Sequence, residues 1–204
     1  MGKSRAAFNR LFEIVLDQQG YFTAKQAVAA GYADNVHPFH VKAGNWIRER
    51  RGIYRLAKFP PTDRPDLMLW SLWSRGRDDR PRGVFSHETA LSFYDLSDVN
   101  PARLHMTVPP GFRKGTPLPK GLVLHRARIH ESDTQEVLGV KVTTPLRTLA
   151  DMVEEGVVQK DHQEQAIKEA FTRGLVTDTR LRDAARIPEK IKREIVRLRD
   201  NPRG

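Results

Sequence analysis

Trp46-Ile47-Arg48-Glu49-Arg50-Arg51-Gly52-Ile53-Tyr54-Arg55-Leu56 is the stretch that decides how the N-terminal part of this chain is read. Apolar and charged residues alternate over 46–50 and again over 53–56, and Arg50-Arg51-Gly52 joins the two runs with a glycine able to take a turn conformation. The pattern predicts a basic β-hairpin. Trp46 and Tyr54 are expected to pack against neighbouring helices rather than to serve as stacking platforms. Guanidinium groups at the turn could lie against a phosphate backbone.

Working upstream, Phe8, Leu11, Phe12, Val15 and Leu16 recur at three- and four-residue steps, which predicts one apolar helix face ending at Gly20. Thr23 is placed to cap a short Ala-rich helix over 24–30, and Gly31 supplies its C-terminal reversal. Asp34 or Asn35 could then cap a third helix over about 35–44, with Pro38 in its first turn. Helix, helix, turn, helix and basic hairpin follow one another in the order of a winged helix-turn-helix module. In such modules the third helix enters the major groove and the hairpin lies over the phosphates or in the minor groove. The expected groove contacts are Asn35, His37, His40 and Lys42, and the expected phosphate contacts are Arg48, Arg50, Arg51 and Arg55.

Downstream, Phe59-Pro60-Pro61-Thr62-Asp63-Arg64-Pro65 has three prolines and no periodicity, so it reads as a linker at 59–65 between a 1–58 domain and a 66–185 domain. The second domain opens with a helix at about 66–73 and a charged loop at 75–82. Val84-Phe85 reads as a short buried strand, and Ser86 could cap a helix bearing Ala90, Leu91 and Phe93. Alternation gives strands through Leu104-His105-Met106-Thr107-Val108 and Leu122-Val123-Leu124-His125, and a further strand or hairpin lies over 137–142. Pro145 starts a helix, two more run over about 160–171 and 178–185, and a basic tail follows at 186–204. The expected class is α+β, a winged helix-turn-helix followed by a mixed α/β domain.

The charge is unevenly spread. Of the 35 Lys+Arg and 25 Asp+Glu, residues 1–58 hold ten and four, and residues 186–204 hold seven and three, so the whole net charge of +10 sits in these two segments. Segregated basicity suits a polyanionic partner at one end of the chain. No apolar run approaches the ~20 residues of a spanning helix, and Leu11 to Leu16 is interrupted by Glu13, so neither a membrane nor a signal-peptide core is expected. With no cysteine there is no disulfide, thiolate metal site or cysteine nucleophile, and a cytoplasmic protein is the default. The tail cations could grip phosphates, yet Ile187, Ile191, Ile195 and Leu198 form a stripe that could equally dock on the body or on a partner helix.

Catalytic and metal motifs fail one after another. His37/His40 and His125/His130 lack a clear third ligand, and His87-Glu88-Thr89-Ala90-Leu91 has the first half of a zinc-protease helix without its second histidine. There is no Glu-x-Lys triplet, no Asp-x-Asp pair, no Gly-Ser dipeptide and no Walker-type loop. Asp78-Asp79 and Glu154-Glu155 read as a solvated loop and a helix end. The expectation is a non-enzyme with no catalytic residue, no metal and no cofactor. Rivals to DNA binding are an RNA-binding module, a protein whose middle domain binds a toxin directly, and an unrecognised nuclease.

Gly20-Tyr21-Phe22-Thr23-Ala24-Lys25-Gln26-Ala27 followed by Arg51-Gly52-Ile53-Tyr54-Arg55-Leu56 resembles the N-terminal domain of AbiEi-type antitoxins of type IV toxin-antitoxin systems. Ser86-His87-Glu88-Thr89-Ala90-Leu91, His105-Met106-Thr107-Val108-Pro109 and Thr143-Thr144-Pro145-Leu146-Arg147-Thr148-Leu149-Ala150-Asp151 resemble the rest of that pattern, over about residues 8–184. The resemblance implies a bacterial abortive-infection antitoxin. Such a protein binds double-stranded DNA at its own promoter, represses its operon and counteracts a cognate nucleotidyltransferase-like toxin without a lasting complex. It marks no neutralising residue in the second domain.

Overall fold

The computed structural model describes residues 2–98, 101–156 and 158–200. The chain is α+β, with a three-stranded and a five-stranded sheet in two compact units. The first unit runs through Arg82 and takes in Leu138–Val140; the second comprises Gly83–Val137 and the residues from Lys141 onward.

In the first unit, α1 (Gly2–Asp17) leads into β1 (Tyr21–Thr23) and α2 (Ala24–Ala30). The expected single face of α1 divides. Ala7, Leu11 and Val15, at i,i+4 steps, are buried, whereas Phe8, Phe12 and Leu16 form the adjacent row and remain 46%, 38% and 56% exposed. Gly20 ends the helix with φ +87 and its amide donating to Val15 O at 2.7 Å. A Cβ there would also meet the Phe59 ring at 2.6 Å, so only glycine fits. A capping box fixes the start of α2: Gln26 N donates to Thr23 Oγ1 at 3.2 Å, and Thr23 N donates to Gln26 Oε1 at 2.8 Å.

A 3₁₀ turn, Asp34–Val36, feeds α3 (His37–Lys42), and β2 (Trp46–Arg50) and β3 (Ile53–Leu56) make the hairpin. The sheet order is β1-β3-β2, antiparallel throughout, with Phe22 opposite Tyr54 and Trp46 opposite Leu56. A register shift between Arg48 and Arg50 bulges the β2 strand near its tip. Leu11, Val15, Phe22, Ala27, Ala30, Trp46, Tyr54 and Leu56 form the core between helices and sheet.

The boundary between the units falls at Arg82, beyond the 59–65 segment expected to separate domains. The reason is α4 (Pro65–Trp73), whose buried Leu67, Met68 and Trp70 pack the helix on β1 and β3. The charged loop after it is tied to the same unit. Arg75 donates to Asp79 Oδ2 at 3.2 Å and to Gln18 Oε1 at 2.6 Å, and Lys25 Nζ donates to Arg77 O at 2.9 Å.

The second unit carries β4 (Val84–Phe85), β5 (Leu104–Val108), β6 (Leu122–Arg126), β7 (Thr134–Val137) and β8 (Val140–Thr143) in the order β6-β5-β4-β8-β7. β5 and β6 are parallel, β4 is antiparallel to β5, and β4 is parallel to β8. Five helices complete the unit: α5 (His87–Phe93), α6 (Pro145–Glu155), α7 (Lys160–Thr172), α8 (Asp178–Asp183) and α9 (Glu189–Asp200). Leu91, Leu149, Met152, Ile167, Ile195 and Leu198 anchor their shared core, so the apolar stripe of the basic tail docks on the body. Three of its cations are engaged as well: Arg197 pairs with Glu194, Arg199 with Asp178 and Asp200, and the buried Lys192 donates to Arg182 O at 2.9 Å. Among the described residues, no helix is long and apolar enough to cross a membrane.

Candidate functional site

The eight residues expected at a nucleic-acid surface fall into three groups. Asn35, Lys42, Arg48 and Arg51 are exposed, and among the described residues neither Arg48 nor Arg51 has an ion-pair partner. Arg50 and Arg55 are engaged within the unit. The Arg50 guanidinium lies 5.0 Å from the centre of the Trp70 ring, and Arg55 Nε donates to Glu49 Oε1 at 2.9 Å. Neither must break a buried contact to move, but each gives up an attraction when it does.

The histidines of α3 depart furthest from expectation. His37 is only 3% exposed, with Nε2 3.3 Å from Tyr32 O and its ring against Trp46 and Tyr54, so it is a core residue and not a groove contact. Its polar character alone points it to solvent, but Trp46 and Tyr54 close over it. His40 stacks on Trp46 with ring centroids 4.6 Å apart. Burial, followed by the neighbouring His37, pushes its pKa down, which favours a neutral ring with one edge available. The outward position of α3 that periodicity does not single out is Phe39, 67% exposed.

A second constellation lies in the second unit. His87 opens α5, His105 and His125 sit on the adjacent parallel strands β5 and β6, and Glu155 closes α6. The rings of His87 and His125 stack at 3.6 Å between centroids and 12° between planes. His105 Nδ1 is 3.1 Å from His125 Nε2, and His105 Nε2 is 3.5 Å from Glu88 Oε2. His125 Nδ1 has both oxygens of Glu155 within reach, at 3.2 Å and 2.9 Å. A buried hydroxyl pair supports the cluster from below, with His87 Nδ1 2.8 Å from Ser86 Oγ, itself 2.7 Å from Thr107 Oγ1.

No protein-family model matches the chain, and no curated protein matches it either. Among solved structures, the chain is similar to the RV2827C protein of Mycobacterium tuberculosis, with a TM-score of 0.59 at 15% sequence identity over 95% of this chain and 76% of that one. The two share a fold. At that identity the likeness carries no residue roles, so the chemistry must be read from the side chains themselves.

The electrostatics of the cluster follow from its burial. His87 is 2% exposed, and burial, then His125 and His105, pushes its pKa down to about 3. His105 is pushed down to about 4, by burial first and then by His125 and Arg103. Both rings are therefore neutral at physiological pH and present lone pairs rather than positive charge.

Sequence spacing pairs His125 with the wrong histidine. His130 is exposed and turns to Ser132 at 3.0 Å, while the partners of His125 come from an adjacent strand and two helix ends. Glu155, at the exposed end of α6, is engaged in the cluster, whereas Asp78 and Asp79 are spent on Arg82 and Arg75. The signal present in the sequence is the alternation that puts His105 with Thr107, and His125 with Val123, on one face of each strand. Only the parallel pairing, with His125 opposite Thr107, brings those faces together.

Proposed function

We propose that the chain is a sequence-specific double-stranded DNA-binding protein whose first unit is a winged helix-turn-helix, acting as an autorepressor and as the antitoxin of a type IV toxin-antitoxin pair. The observation that carries the DNA half is the succession α1, β1, α2, α3, β2, β3 with sheet order β1-β3-β2. It leaves exposed Asn35, in the 3₁₀ turn, and exposed Lys42, at the end of α3, beside a hairpin with exposed Arg48 and Arg51. The segregated positive charge supports the same reading, since a duplex offers closely spaced phosphates to such a surface. The antitoxin half rests on the resemblance of three segments of the second unit to the AbiEi pattern.

The experiment is a binding titration against duplex DNA from just upstream of the chain's own gene, with scrambled duplex and single-stranded RNA as competitors, at two salt concentrations. The expected result is duplex-specific binding that survives the higher salt. In Arg48→Gln and Arg51→Gln the slope of log affinity against log salt should fall by about 1 for each phosphate no longer neutralised, roughly equally on all sequences. Lys42→Ala and Asn35→Ala should instead relax discrimination between operator and scrambled duplex. Unchanged slopes in the arginine variants would remove the hairpin from the interface. Equal affinity for RNA and duplex would sink the repressor reading. The antitoxin half is checked separately, by whether co-expression relieves the growth arrest caused by the neighbouring gene product.

A further inference from the structure

We propose that the second unit holds a divalent transition-metal site, best matched to zinc, with His87 Nε2, His125 Nδ1 and the Glu155 carboxylate as ligands and a fourth position open to solvent. The site is independent of the DNA-binding reading, because every residue in it belongs to the second unit.

The three ligand atoms all lie within 4.8 Å of one another. Ligands at about 2.0–2.1 Å from a tetrahedral zinc ion sit roughly 3.3 Å apart. Here His87 Nε2 to Glu155 Oε1 is 3.1 Å and His125 Nδ1 to Glu155 Oε2 is 2.9 Å, and the two rings, stacked with 12° between their planes, must tilt apart for both in-plane lone pairs to converge on one ion.

The hydrogen bonds around the cluster admit a tautomer assignment that frees the ligating lone pairs. If His87 Nδ1–H donates to Ser86 Oγ, whose hydroxyl donates in turn to Thr107 Oγ1, then Nε2 is left as a bare imine nitrogen. If His125 Nε2–H donates to His105 Nδ1, then His105 Nε2–H faces Glu88 and His125 Nδ1 is bare in its turn. Metal-ligating histidines are held in this way, with the far ring nitrogen donating to an oriented partner. Ser86 and His105 would be those partners.

The deciding observation is His87. Its side chain is 2% exposed, and Nε2, although 3.1 Å from Glu155 Oε1, has no partner in hydrogen-bond geometry among the described residues. A buried polar atom left in that state is costly unless something else satisfies it. His87 also takes φ +52, a left-handed conformation that a histidine adopts at some expense and that aims its ring into the cluster.

The donor set chooses the class of ion. Two imidazoles and one carboxylate suit zinc and its neighbours in the first transition row, whereas magnesium and calcium prefer oxygen alone. Glu155 is 38% exposed and His125 12%, so the cluster opens to solvent on their side. A water or a ligand oxygen could complete the coordination there, the arrangement of zinc sites that retain one exchangeable position.

The test is calorimetric titration of the full-length, chelator-treated protein with zinc chloride, repeated with magnesium chloride and followed by cobalt(II) absorption. One equivalent of zinc should bind, magnesium should not compete, and cobalt should give the intense visible bands of a four-coordinate site. Glu155→Gln, a change at an accessible helix end that leaves the core intact, and His125→Gln should each weaken zinc by about tenfold or more, since even outer partners of metal sites carry effects of that size. His130→Ala, outside the cluster, should bind as the parent does. Failure of the parent to take up one equivalent, or undiminished zinc affinity in both Glu155→Gln and His125→Gln, would overturn the proposal and leave the cluster a proton-sharing network.

Discussion

Phe22→Ala is expected to cost the first unit about 3–5 kcal/mol, the range for deleting a fully buried phenyl ring. Phe22 is 0% exposed at the middle of β1, its ring meeting Trp46 edge-on at 4.9 Å and lying over Tyr54 at 5.8 Å. Both partners belong to the hairpin, so the ring joins the strand that precedes α2 to the two strands that follow α3. Losing it removes apolar burial and two aromatic contacts, each adding about 0.5–1.5 kcal/mol beyond area. A loss of that size is a large share of the roughly 5–15 kcal/mol by which a domain is ordinarily stable. Urea denaturation followed by tryptophan fluorescence measures it. Duplex affinity should fall in proportion to the folded fraction, with its salt slope unchanged, because the arginines that would contact phosphate are still present. Phe22→Leu, which keeps most of the volume, should cost less than half as much. A loss in Phe22→Ala below about 1 kcal/mol would mean that the ring does not hold the sheet to the helices.

The parts of this architecture legible in the sequence are those set by local rules. Thr23 and Gln26 specify the start of α2, Gly20 and Gly31 its limits and those of α1, and the alternation around Arg51-Gly52 gives the hairpin almost to the residue. What local rules do not reach is which of two apolar rows a third element will cover. On α1 the row of Leu11 and Val15 is buried and that of Phe8, Phe12 and Leu16 is not, although both satisfy the same periodicity. His37 shows the same limit in reverse: a polar side chain on a short helix becomes core because Trp46 and Tyr54 close over it. Pro-rich composition at 59–65 points to a boundary, but the apolar face of α4 keeps the chain on the first unit until Arg82. The histidine cluster is the least legible of all, since its members come from two helix ends and two strands whose parallel pairing no spacing announces.

Arg147→Met is expected to destabilise the second unit by about 3 kcal/mol at neutral pH, and by less as the solution is acidified through pH 6. Asp151 is buried in the second turn of α6, where Arg147 Nε donates to its Oδ1 at 2.7 Å while Oδ2 has no hydrogen-bond partner among the described residues. Burial raises its pKa to about 6 against the downward pull of that guanidinium. A carboxyl whose folded value lies above its ordinary one favours the fold most when protonated. Its contribution is therefore fullest below the ordinary carboxylate range, falls as pH rises toward 6, and is least favourable above it. Removing Arg147 takes away the guanidinium that opposes the effect of burial, so Asp151 rises further and its charged form becomes more costly in the fold. Asp133 Oδ2, 3.9 Å from Arg147, also loses a partner, but that distance is too long to contribute much. Chemical denaturation at pH 7.5 and pH 5 separates the possibilities. A deficit that shrinks at the lower pH, and that is largely recovered by Arg147→Met combined with Asp151→Leu, identifies an uncompensated buried charge as its cause. A deficit equal at both pH values, untouched by the second substitution, would mean that Arg147 matters through the packing of its aliphatic stem and not through its charge.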